Sequence, residues 1–429
     1  MAWDFSTDPE WQERLDWIEQ FCREEIEPLT LAFPVDFWSG ARLPKKLGEI
    51  VDGLKQQVKE RGLWGIFLDK EIGGPGFGQL KLALVNEILG RNMAAPSIFG
   101  CQAPDTGNMD ILARYGTPEQ KAKYLEPLFN QEIHSCFSMT EPQGGADTHG
   151  FRTHAVRDGD EWVINGEKWF SSFGKTADII IVMCNNGMFI VEQGTPGLEF
   201  LLGSGIHAHI RYNDVRIPEG NLLGPEGGAQ QVAQFRLGGG RIHHAMRTVA
   251  QVKMALDMMC ERAISRESRG HLIFDYQSVQ NDIADSYMQV EMLRLLVLQT
   301  AWKIDNSSGR EVRTDIAACK VTAARVLRDV IYRAHHMHGA LGTTDLLPLK
   351  DIWSSSPSMS MVDGPDEVHK VTIARNLVKN YQPHEGLFPR EYLPAKRAIA
   401  REKFQSLIDS DEELREYTER VDRHAAMRA

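Results

Sequence analysis

A dense run of glycines, hydroxyl groups and aromatic side chains lies between Cys136 and Asp178. It contains GGAD at 144–147, INGEK at 164–168 and WFSS at 169–172. Glycine-rich turns, followed by alternating strands with hydroxyls and aromatics, suit a wall that lies flat against a planar ring and bonds its edge atoms. The run therefore predicts a site for a planar ligand, with an ordinary hairpin-rich β-domain as the alternative.

A second segment that could do chemistry reads VDGPDEVHK at 362–370. Asp363 precedes Gly364 at the predicted start of a helix, so its carboxylate can project into a pocket while a backbone N–H stays free for a carbonyl oxygen. Such a carboxylate can remove a proton from carbon, and its alternative role is a helix N-cap. Asp366 and Glu367 are competing carboxylates, but they lie further into the helix, where acidic residues offset the helix dipole. Asp363 is therefore the candidate catalytic base.

Three kinds of segment must position these residues. Over the first ~135 residues, Trp11, Leu15 and Ile18 recur at helical spacing. From about Ser135 to Leu223 the pattern changes to short alternating strands, with Asn186-Gly187 as a hairpin turn. After the glycines at 238–240, the pattern predicts long helices at 242–266, 277–305 and 311–338 that pack as an antiparallel bundle.

These segments predict an α+β multidomain fold. Its parts are an N-terminal α-helical domain at 1–134, a middle β-domain at 135–237, a C-terminal helical bundle at 238–391 and a charged C-terminal extension at 392–429. A chain of 429 residues is long enough for more than one core, because single cores usually stop growing near ~250 to 300 residues.

Composition excludes several classes of function. A net charge of −11 argues against nucleic-acid binding, since a phosphate backbone selects clustered Lys and Arg. No apolar run approaches the ~20 residues that span a bilayer, and the N-terminus lacks the basic and apolar regions of a signal peptide. The 6 cysteines are scattered without a C-x-x-C pair, which favours reduced thiols. We expect a cytoplasmic protein without a membrane span.

Two histidine clusters raise the question of a metal site. The first is His335, His336 and His338, and the second is the pair His243 and His244. Neither has a nearby cysteine or a paired carboxylate at ligand spacing. We therefore expect no metal.

The α, β, α order and the two segments above together resemble the acyl-CoA dehydrogenase family over about residues 10 to 385. The resemblance implies FAD as cofactor and dehydrogenation of an acyl-CoA between Cα and Cβ, with the α-proton going to Asp363, the β-hydride to flavin N5 and the electrons to an electron-transfer flavoprotein. The family usually has glutamate at this position. However, DGPDEVH at 363–369 is similar to the branch that in animals is fused behind a kinase-like domain, in which aspartate would be the working base. We expect no kinase-like part here.

The resemblance also implies roles for individual residues. The contacts to the flavin ring would be Phe137, Met139, Thr140, Phe170 and Ser172. The residues that reach the FAD diphosphate across a subunit interface would be Arg266, Gln277, His336, Gly339 and Gly342. The remaining contacts would be Glu367 to adenine, and Ala146, Arg241 and Gly364 to the substrate. A cofactor site shared in this way implies a homodimer or a homotetramer.

Some positions depart from the family's pattern. Phe170 and Ser172 stand where the family usually has tryptophan and threonine, and Ala146 replaces a serine or threonine. The hairpin at 185–187 is shorter than usual, so thioester chemistry is better supported than the usual grip on CoA. Two alternatives stay open: an acyl-CoA oxidase-like or nitroalkane-oxidase-like flavoenzyme, and a non-catalytic binding protein on the same fold.

Overall fold

The computed structural model describes residues 7–33, 43–70, 73–307, 311–383 and 391–426. Helices form both ends of the chain and strands form its middle, which confirms the predicted fold class. Within the described ranges, no helix combines the length and the apolar character that a membrane crossing requires.

The N-terminal region is helical, as predicted. Its elements are α1 Pro9–Phe21, a π-helical turn Cys22–Ile26, α2 Glu27–Ala32, α3 Lys45–Glu60, α4 Gln79–Leu89, α5 Ala95–Ile98, α6 Asp105–Tyr115, α7 Pro118–Gln120, a second π-helical turn Lys121–Leu125 and α8 Glu126–Asn130. The Asp8 carboxylate caps α1 by accepting a hydrogen bond from the Trp11 backbone N–H at 2.8 Å. Trp11, Leu15 and Ile18 are buried on one face, so the helical spacing read from the sequence is confirmed.

The strands form two packed sheets. They are β1 Ser135–Ser138, β2 His154–Asp158, β3 Glu161–Ser172, β4 Ile179–Cys184, β5 Gly187–Glu192, β6 Leu198–Ser204 and β7 His207–Pro218. One sheet has the order β1-β4-β5, with β1 parallel to β4, and the other is antiparallel with the order β2-β3-β7-β6. Ile179 and Ile181 of β4 face the helical core while Ile180 and Val182 face the second sheet. Burial on both faces explains why this strand is apolar throughout.

The hairpin between β4 and β5 turns one residue earlier than predicted. Cys184 pairs with Gly187, so Asn185 and Asn186 form the turn and Gly187 opens β5. The Asn186 side chain is fixed by β2, because its Nδ2 donates to the Ala155 carbonyl at 2.8 Å and its Oδ1 accepts from the Ala155 N–H at 3.2 Å. These side-chain bonds hold Asn186 in the turn.

The C-terminal region is a helical bundle followed by two further helices. Its elements are α9 Ala229–Ser265, β8 Glu267–Ser268, β9 His271–Leu272, α10 Gln277–Asn306, α11 Arg313–His338, α12 Leu349–Met359, α13 Asp366–Val378, α14 Leu393–Ser410 and α15 Glu412–Ala426. The predictions for α10 and α11 are confirmed to within two residues. The predicted start of α9 at 242 is wrong, because the helix begins at Ala229 and runs through all three glycines at 238–240.

Two of the three glycines inside α9 have other parts of the chain packed against them. Glycine weakens a helix interior by ~1 kcal/mol relative to alanine, which is why the sequence suggested a break. A Cβ on Gly240 would lie only 2.7 Å from the Asp363 Oδ2, and a Cβ on Gly239 would lie 3.5 Å from the Asp110 Oδ2. Tertiary packing therefore outweighs local propensity here.

A carboxylate of α10 caps the N-terminus of α4. Asp305 accepts from the backbone N–H groups of Gln79 at 2.6 Å and Leu80 at 2.9 Å, which are unpaired donors of the first helical turn. Gly78 precedes them with a φ of 82°. The cap fixes the start of α4 on the bundle.

The chain divides into two compact units, Met1–Ile373 and Ala374–Ala429. The second holds the end of α13 together with α14 and α15, which are joined by a hydrogen bond of 2.6 Å from Arg401 Nη2 to Asp422 Oδ1. The predicted charged extension at 392–429 is thus helical where it is described. The three predicted boundaries between the four domains stay predictions.

Candidate active site

Asp363 lies in the turn between α12 and α13, and side chains hold this turn from two directions. Its backbone is left-handed, with a φ of 54° at Asp363 and 104° at Gly364. Its carbonyl accepts a hydrogen bond from Arg241 Nε on α9 at 2.9 Å and lies 3.2 Å from His369 Nε2 on α13. The backbone that carries the carboxylate is therefore fixed from both sides.

The carboxylate of Asp363 packs directly against α9. Its Oδ2 occupies the space that a side chain on Gly240 would fill, and it lies 3.7 Å from His244 Nε2. The Asp363 side chain is 17% exposed. Burial lowers the pKa of His244, while the nearby Asp363 charge opposes that shift. A mostly neutral imidazole and a largely buried carboxylate thus face each other.

Three residues of α9 form the surface that Asp363 faces. Arg236, Gly240 and His244 are four residues apart, so they lie in one row along the helix. Arg236 is held by its Nε bond of 2.8 Å to Asn108 Oδ1, and its guanidinium lies 3.9 Å from the centre of the Phe137 ring. Burial lowers the pKa of Arg236, and the Asp363 charge opposes that effect. Arg236 therefore links the Asp363 turn to the predicted ligand wall.

The two competing carboxylates have other surroundings. Asp366 accepts a hydrogen bond of 2.7 Å from Lys320 Nζ of α11, and both side chains are largely buried. Removing either partner would leave a buried charge unpaired. Glu367 is exposed on the first turn of α13. Of these three carboxylates, only Asp363 faces the Arg236 row of α9.

A buried ion pair holds the two ends of the predicted ligand wall together. Lys168 Nζ on β3 donates to Glu141 Oε1 at 2.8 Å and to the Met139 carbonyl at 2.8 Å. Glu141 also accepts from the backbone N–H groups of Arg152 at 2.7 Å and Thr153 at 3.0 Å. Burial alone would raise the pKa of Glu141, but these hydrogen bonds lower it to about 2. The pair fixes the 139–141 turn on β3.

A bulge in β3 places two aromatic rings side by side. The register with β7 shifts between Lys168 and Ser171, and Phe170 has a φ of 52°. The rings of Trp169 and Phe170 are 5.0 Å apart, with exposures of 39% and 52%. The Trp169 backbone N–H donates to the Thr140 carbonyl at 2.7 Å, and Ser172 Oγ lies 2.9 Å from His207 Nδ1. An exposed aromatic surface with hydroxyls at its edge results.

The remaining predicted cofactor residues lie elsewhere on the bundle. Arg266 follows the last residue of α9, Gln277 begins α10, and Gly339 ends α11 with a φ of 61°. The ring of His336, on the last turn of α11, lies 4.6 Å from the Tyr332 ring at a tilt of 42°, and Gly342 follows in a 3₁₀ turn. Burial is the main cause that lowers the pKa of His338, and the charge of Arg262 lowers it further. Arg262 and His338 are therefore close, which places the C-terminal ends of α9 and α11 together. At ~1.5 Å per residue, this end of α9 is roughly 38 Å from Gly240.

The predicted substrate contact Ala146 lies on an exposed loop. Thr148 of that loop donates to Gln230 Oε1 at 3.1 Å, which ties the loop to the start of α9. Arg241 and Gly364 adjoin Asp363 directly. The structure thus brings together Asp363, Arg241 and Gly364, and links them through Arg236 to Phe137, but it separates them from Arg266 and the Gly339 turn.

The sequence interpretation missed Arg236, His244 and the Glu141–Lys168 pair. If the predicted helix had started at Ala229, the four-residue spacing of Arg236, Gly240 and His244 would have placed them in one row. The ion pair joins residues 27 apart along the chain, and no local pattern marks it. Among the described residues, no group of three His, Cys, Asp or Glu side chains is placed to hold a metal ion.

Family models match the chain along most of its length. The acyl-CoA dehydrogenase N-terminal domain matches residues 8–132, the middle domain 136–205 and the C-terminal domain 227–378. FadE2 of Mycobacterium tuberculosis, named as a probable acyl-CoA dehydrogenase, is 39% identical over 348 residues, which are 76% of this chain and 85% of that protein.

Acyl-CoA dehydrogenase family member 11 of Gallus gallus is 36% identical over 390 residues. That match covers 85% of this chain but only 50% of the chicken protein, so this chain spans about half the length of that relative. A solved structure from Mycobacterium abscessus superposes with a TM-score of 0.80 at 32% identity, covering 88% of this chain and 100% of the other.

Proposed function

This chain belongs to the acyl-CoA dehydrogenase family of oxidoreductases, and from that premise we propose that it catalyses the FAD-dependent dehydrogenation of an acyl-CoA thioester to the 2-enoyl-CoA. The observation that carries the proposal is the position of Asp363. Its carboxylate is partly open, its backbone is held by Arg241 and His369, and it faces a helix surface without side-chain obstruction at Gly240.

Asp363 removes the α-proton of the acyl group. The two electrons of the Cα–H bond become the new Cα–Cβ double bond, and the proton stays on the Asp363 carboxylate. The chemistry that bound FAD supplies is acceptance of the β-hydrogen with its electron pair. We assign the backbone N–H of Asp363 itself to the thioester oxygen, where its hydrogen bond would stabilise the charge that develops.

His244 and Arg241 support Asp363. Arg241 donates a hydrogen bond to the backbone carbonyl of Asp363. It therefore fixes the direction of the Asp363 side chain without forming a hydrogen bond to the carboxylate itself. His244 stands 3.7 Å from Oδ2, and because burial lowers its pKa, it adds little positive charge that would weaken the base. Both act as positioning residues for proton transfer.

The wall built by β1 and β3 has the features that an isoalloxazine ring requires. Phe170 offers an exposed ring face, and Thr140 and Ser172 offer hydroxyls at its margin. Phe137 and Met139 flank that wall, and the Glu141–Lys168 pair keeps the 139–141 turn in place. These residues fit FAD, and Glu367 is the contact assigned to its adenine.

The cofactor site is shared between two copies of the chain. Arg266, Gln277, His336, Gly339 and Gly342 gather at one end of the bundle, roughly 38 Å along α9 from Gly240. That separation supports the proposal that these residues bind the FAD of a neighbouring copy. The smallest active form is then a homodimer, and two dimers that pair form a homotetramer. The electron acceptor is an electron-transfer flavoprotein, which an oxidase would replace with dioxygen.

The test is the replacement Asp363→Asn. This variant should retain FAD and bind acyl-CoA, but it should lose most of the reduction of its flavin, because only the proton acceptor is removed. Anaerobic stopped-flow absorbance with a panel of acyl-CoAs measures the reduction, and Glu367→Gln is the comparison. If Asp363→Asn reduces its flavin at a near-normal rate while Glu367→Gln does not, the base is assigned to the wrong residue.

Asp363→Glu tests the geometry further. The longer side chain should crowd the site, since Oδ2 of Asp363 already fills the space beside Gly240. Reduction should therefore slow rather than accelerate. A glutamate variant faster than the parent would show that the aspartate is not fitted to this pocket.

A further inference from the structure

A cavity of about 160 Å³ lies on the face of α9 next to the one that Asp363 contacts. Phe235, Gly239 and His243 line it from α9, and they form a helical row adjacent to the row of Arg236, Gly240 and His244. Asp69, Gln79 and Asp110 line it from the opposite side. The cavity is therefore one helix row away from the candidate base.

Polar atoms in this cavity have no partner within the described residues. His243 Nε2 and Gln79 Oε1 are buried and form no hydrogen bond. Burial of a hydrogen-bonding atom without a partner costs free energy, and native proteins rarely tolerate it without a ligand or an ordered water. Two such atoms at one cavity indicate a place for a ligand that forms hydrogen bonds.

The charges select the type of hydrogen bond. Burial, with smaller contributions from Arg247 and His244, lowers the pKa of His243 to about 3, so its imidazole is neutral at neutral pH. Burial also raises the pKa of Asp110 to about 7, against the opposing charge of Arg236. Among the described residues that line the cavity there is no Lys or Arg. The lining can accept hydrogen bonds but would repel an anion.

The cavity is also within reach of an acyl chain that starts at Asp363. Asp363 Oδ2 lies 2.7 Å from the Cβ position of Gly240, and Asp110 Oδ2 lies 3.5 Å from the Cβ position of Gly239. Since these two glycines are neighbours with Cα atoms ~3.8 Å apart, the two carboxylates lie on adjacent parts of one surface. A side chain at Gly240 would collide with Asp363, and a Cβ at Gly239 would already contact Asp110.

We propose that this cavity is a subsite for the far end of the acyl group, and that it accepts a chain carrying a hydrogen-bond donor, a hydroxyl or a protonated amine. This subsite rests on the proposed acyl-CoA activity and defines its substrate class. In this proposal His243 carries its hydrogen on Nδ1, so that Nε2 accepts. A protonated amine has enough N–H groups to donate to His243 Nε2, Gln79 Oε1 and the Asp110 carboxyl, whereas a hydroxyl donates to one of them and accepts from the protonated Asp110 carboxyl. A plain alkyl end leaves these atoms unpaired, and a terminal carboxylate or phosphate meets Asp110 and Asp69.

The experiment measures binding in the FAD-loaded Asp363→Asn protein, where no turnover occurs, by titration calorimetry. The probes are octanoyl-CoA, its terminally hydroxylated analogue, its terminally aminated analogue and the CoA thioester of the matching dicarboxylic acid, with hexanoyl and decanoyl series to locate the best length. At the best length, the hydroxylated or the aminated chain should bind at least ~10-fold more tightly than the alkyl chain, and the dicarboxylic thioester more weakly. The tighter of these two arms identifies the donor.

Variants of the cavity test the same assignment. His243→Leu and Gln79→Met should each reduce or reverse the preference for the donor-bearing chain, while Gln56→Met, on the exposed face of α3, should leave it unchanged. Equal or weaker binding of both donor-bearing chains in the parent overturns the subsite. If Asp363→Asn binds octanoyl-CoA without such a preference and the wild-type protein oxidises it, the proposed activity survives and only the subsite fails. If no acyl-CoA binds at any length, both fail.

Discussion

Replacement of Gly240 by alanine should slow the reduction of the bound flavin while leaving the free energy of unfolding almost unchanged. An alanine Cβ would lie 2.7 Å from Asp363 Oδ2, whereas ordinary contacts begin near 3.4 Å. The carboxylate would therefore have to retreat by roughly 0.7 Å. Because a misplacement of ~1 Å in a reacting group can cost ~10²-fold in rate, we expect reduction of the bound flavin to slow by roughly 10- to 100-fold.

The stability of the same variant should change little. Alanine favours a helix interior over glycine by ~1 kcal/mol, and this gain offsets the cost of displacing one partly exposed side chain. Gly238→Ala is the matched control, since nothing lies within 4 Å of its Cβ position. It should raise the free energy of unfolding by ~1 kcal/mol and leave flavin reduction unchanged.

Two measurements decide the outcome. Anaerobic stopped-flow with saturating acyl-CoA gives the rate of flavin reduction, and urea denaturation gives the free energy of unfolding for the parent and both alanine variants. FAD content is measured first, so that a slow rate reflects the base and not a lost cofactor. If the Gly240→Ala protein reduces its flavin as fast as the parent, the position of the Asp363 carboxylate against α9 does not matter for proton removal, and the reasoning is wrong.

Four further predictions concern cofactor retention and stability. Arg266→Ala should weaken FAD retention, since a hydrogen bond to a charged group is worth ~1.5 to 3 kcal/mol, and unchanged retention after dialysis would contradict its diphosphate role. Lys168→Met should lower the free energy of unfolding by ~3 to 5 kcal/mol, because it leaves the buried Glu141 charge without its cation. Since hydrogen bonds lower the pKa of Glu141 from 4.5 to about 2, its contribution to stability is present above pH 4.5 and is lost as the pH falls towards 2, which thermal melts across that range would reveal. Asp305→Ala should cost ~0.5 to 2 kcal/mol through loss of the α4 cap, and an unchanged melting temperature would show that water replaces it.

Local patterns predicted much of the fold. Helical spacing located the buried face of α1, and the apolar run at 179–183 predicted the strand β4, which the structure buries on both faces. The bounds of α10 and α11 followed from periodicity because their sequences lack interior glycines and prolines. In these segments the local preference and the tertiary environment agree, so sequence alone was sufficient.

The departures arise where distant residues decide the local structure. The start of α9 was placed too late because Asp363, more than a hundred residues away, is what makes Gly240 necessary. The bulge that brings Phe170 beside Trp169 depends on the pairing of β3 with β7. The cavity at His243 and Asp110 joins α6 and α9, and single-sequence periodicity contains no information about that contact.

The left-handed backbone at Asp363 has a consequence for the evolution of this site. Aspartate is several-fold enriched at positive φ among residues with side chains, because its short polar side chain can bond locally, and a longer acidic side chain lacks that advantage. The turn therefore discriminates between two acids that differ by one methylene. A lineage that inherits this turn can exchange aspartate for glutamate only by also changing the backbone at 363–364 or the packing at Gly240. On the proposed role of Asp363 as the base, a single exchange to glutamate would slow the reaction, so the aspartate would tend to persist.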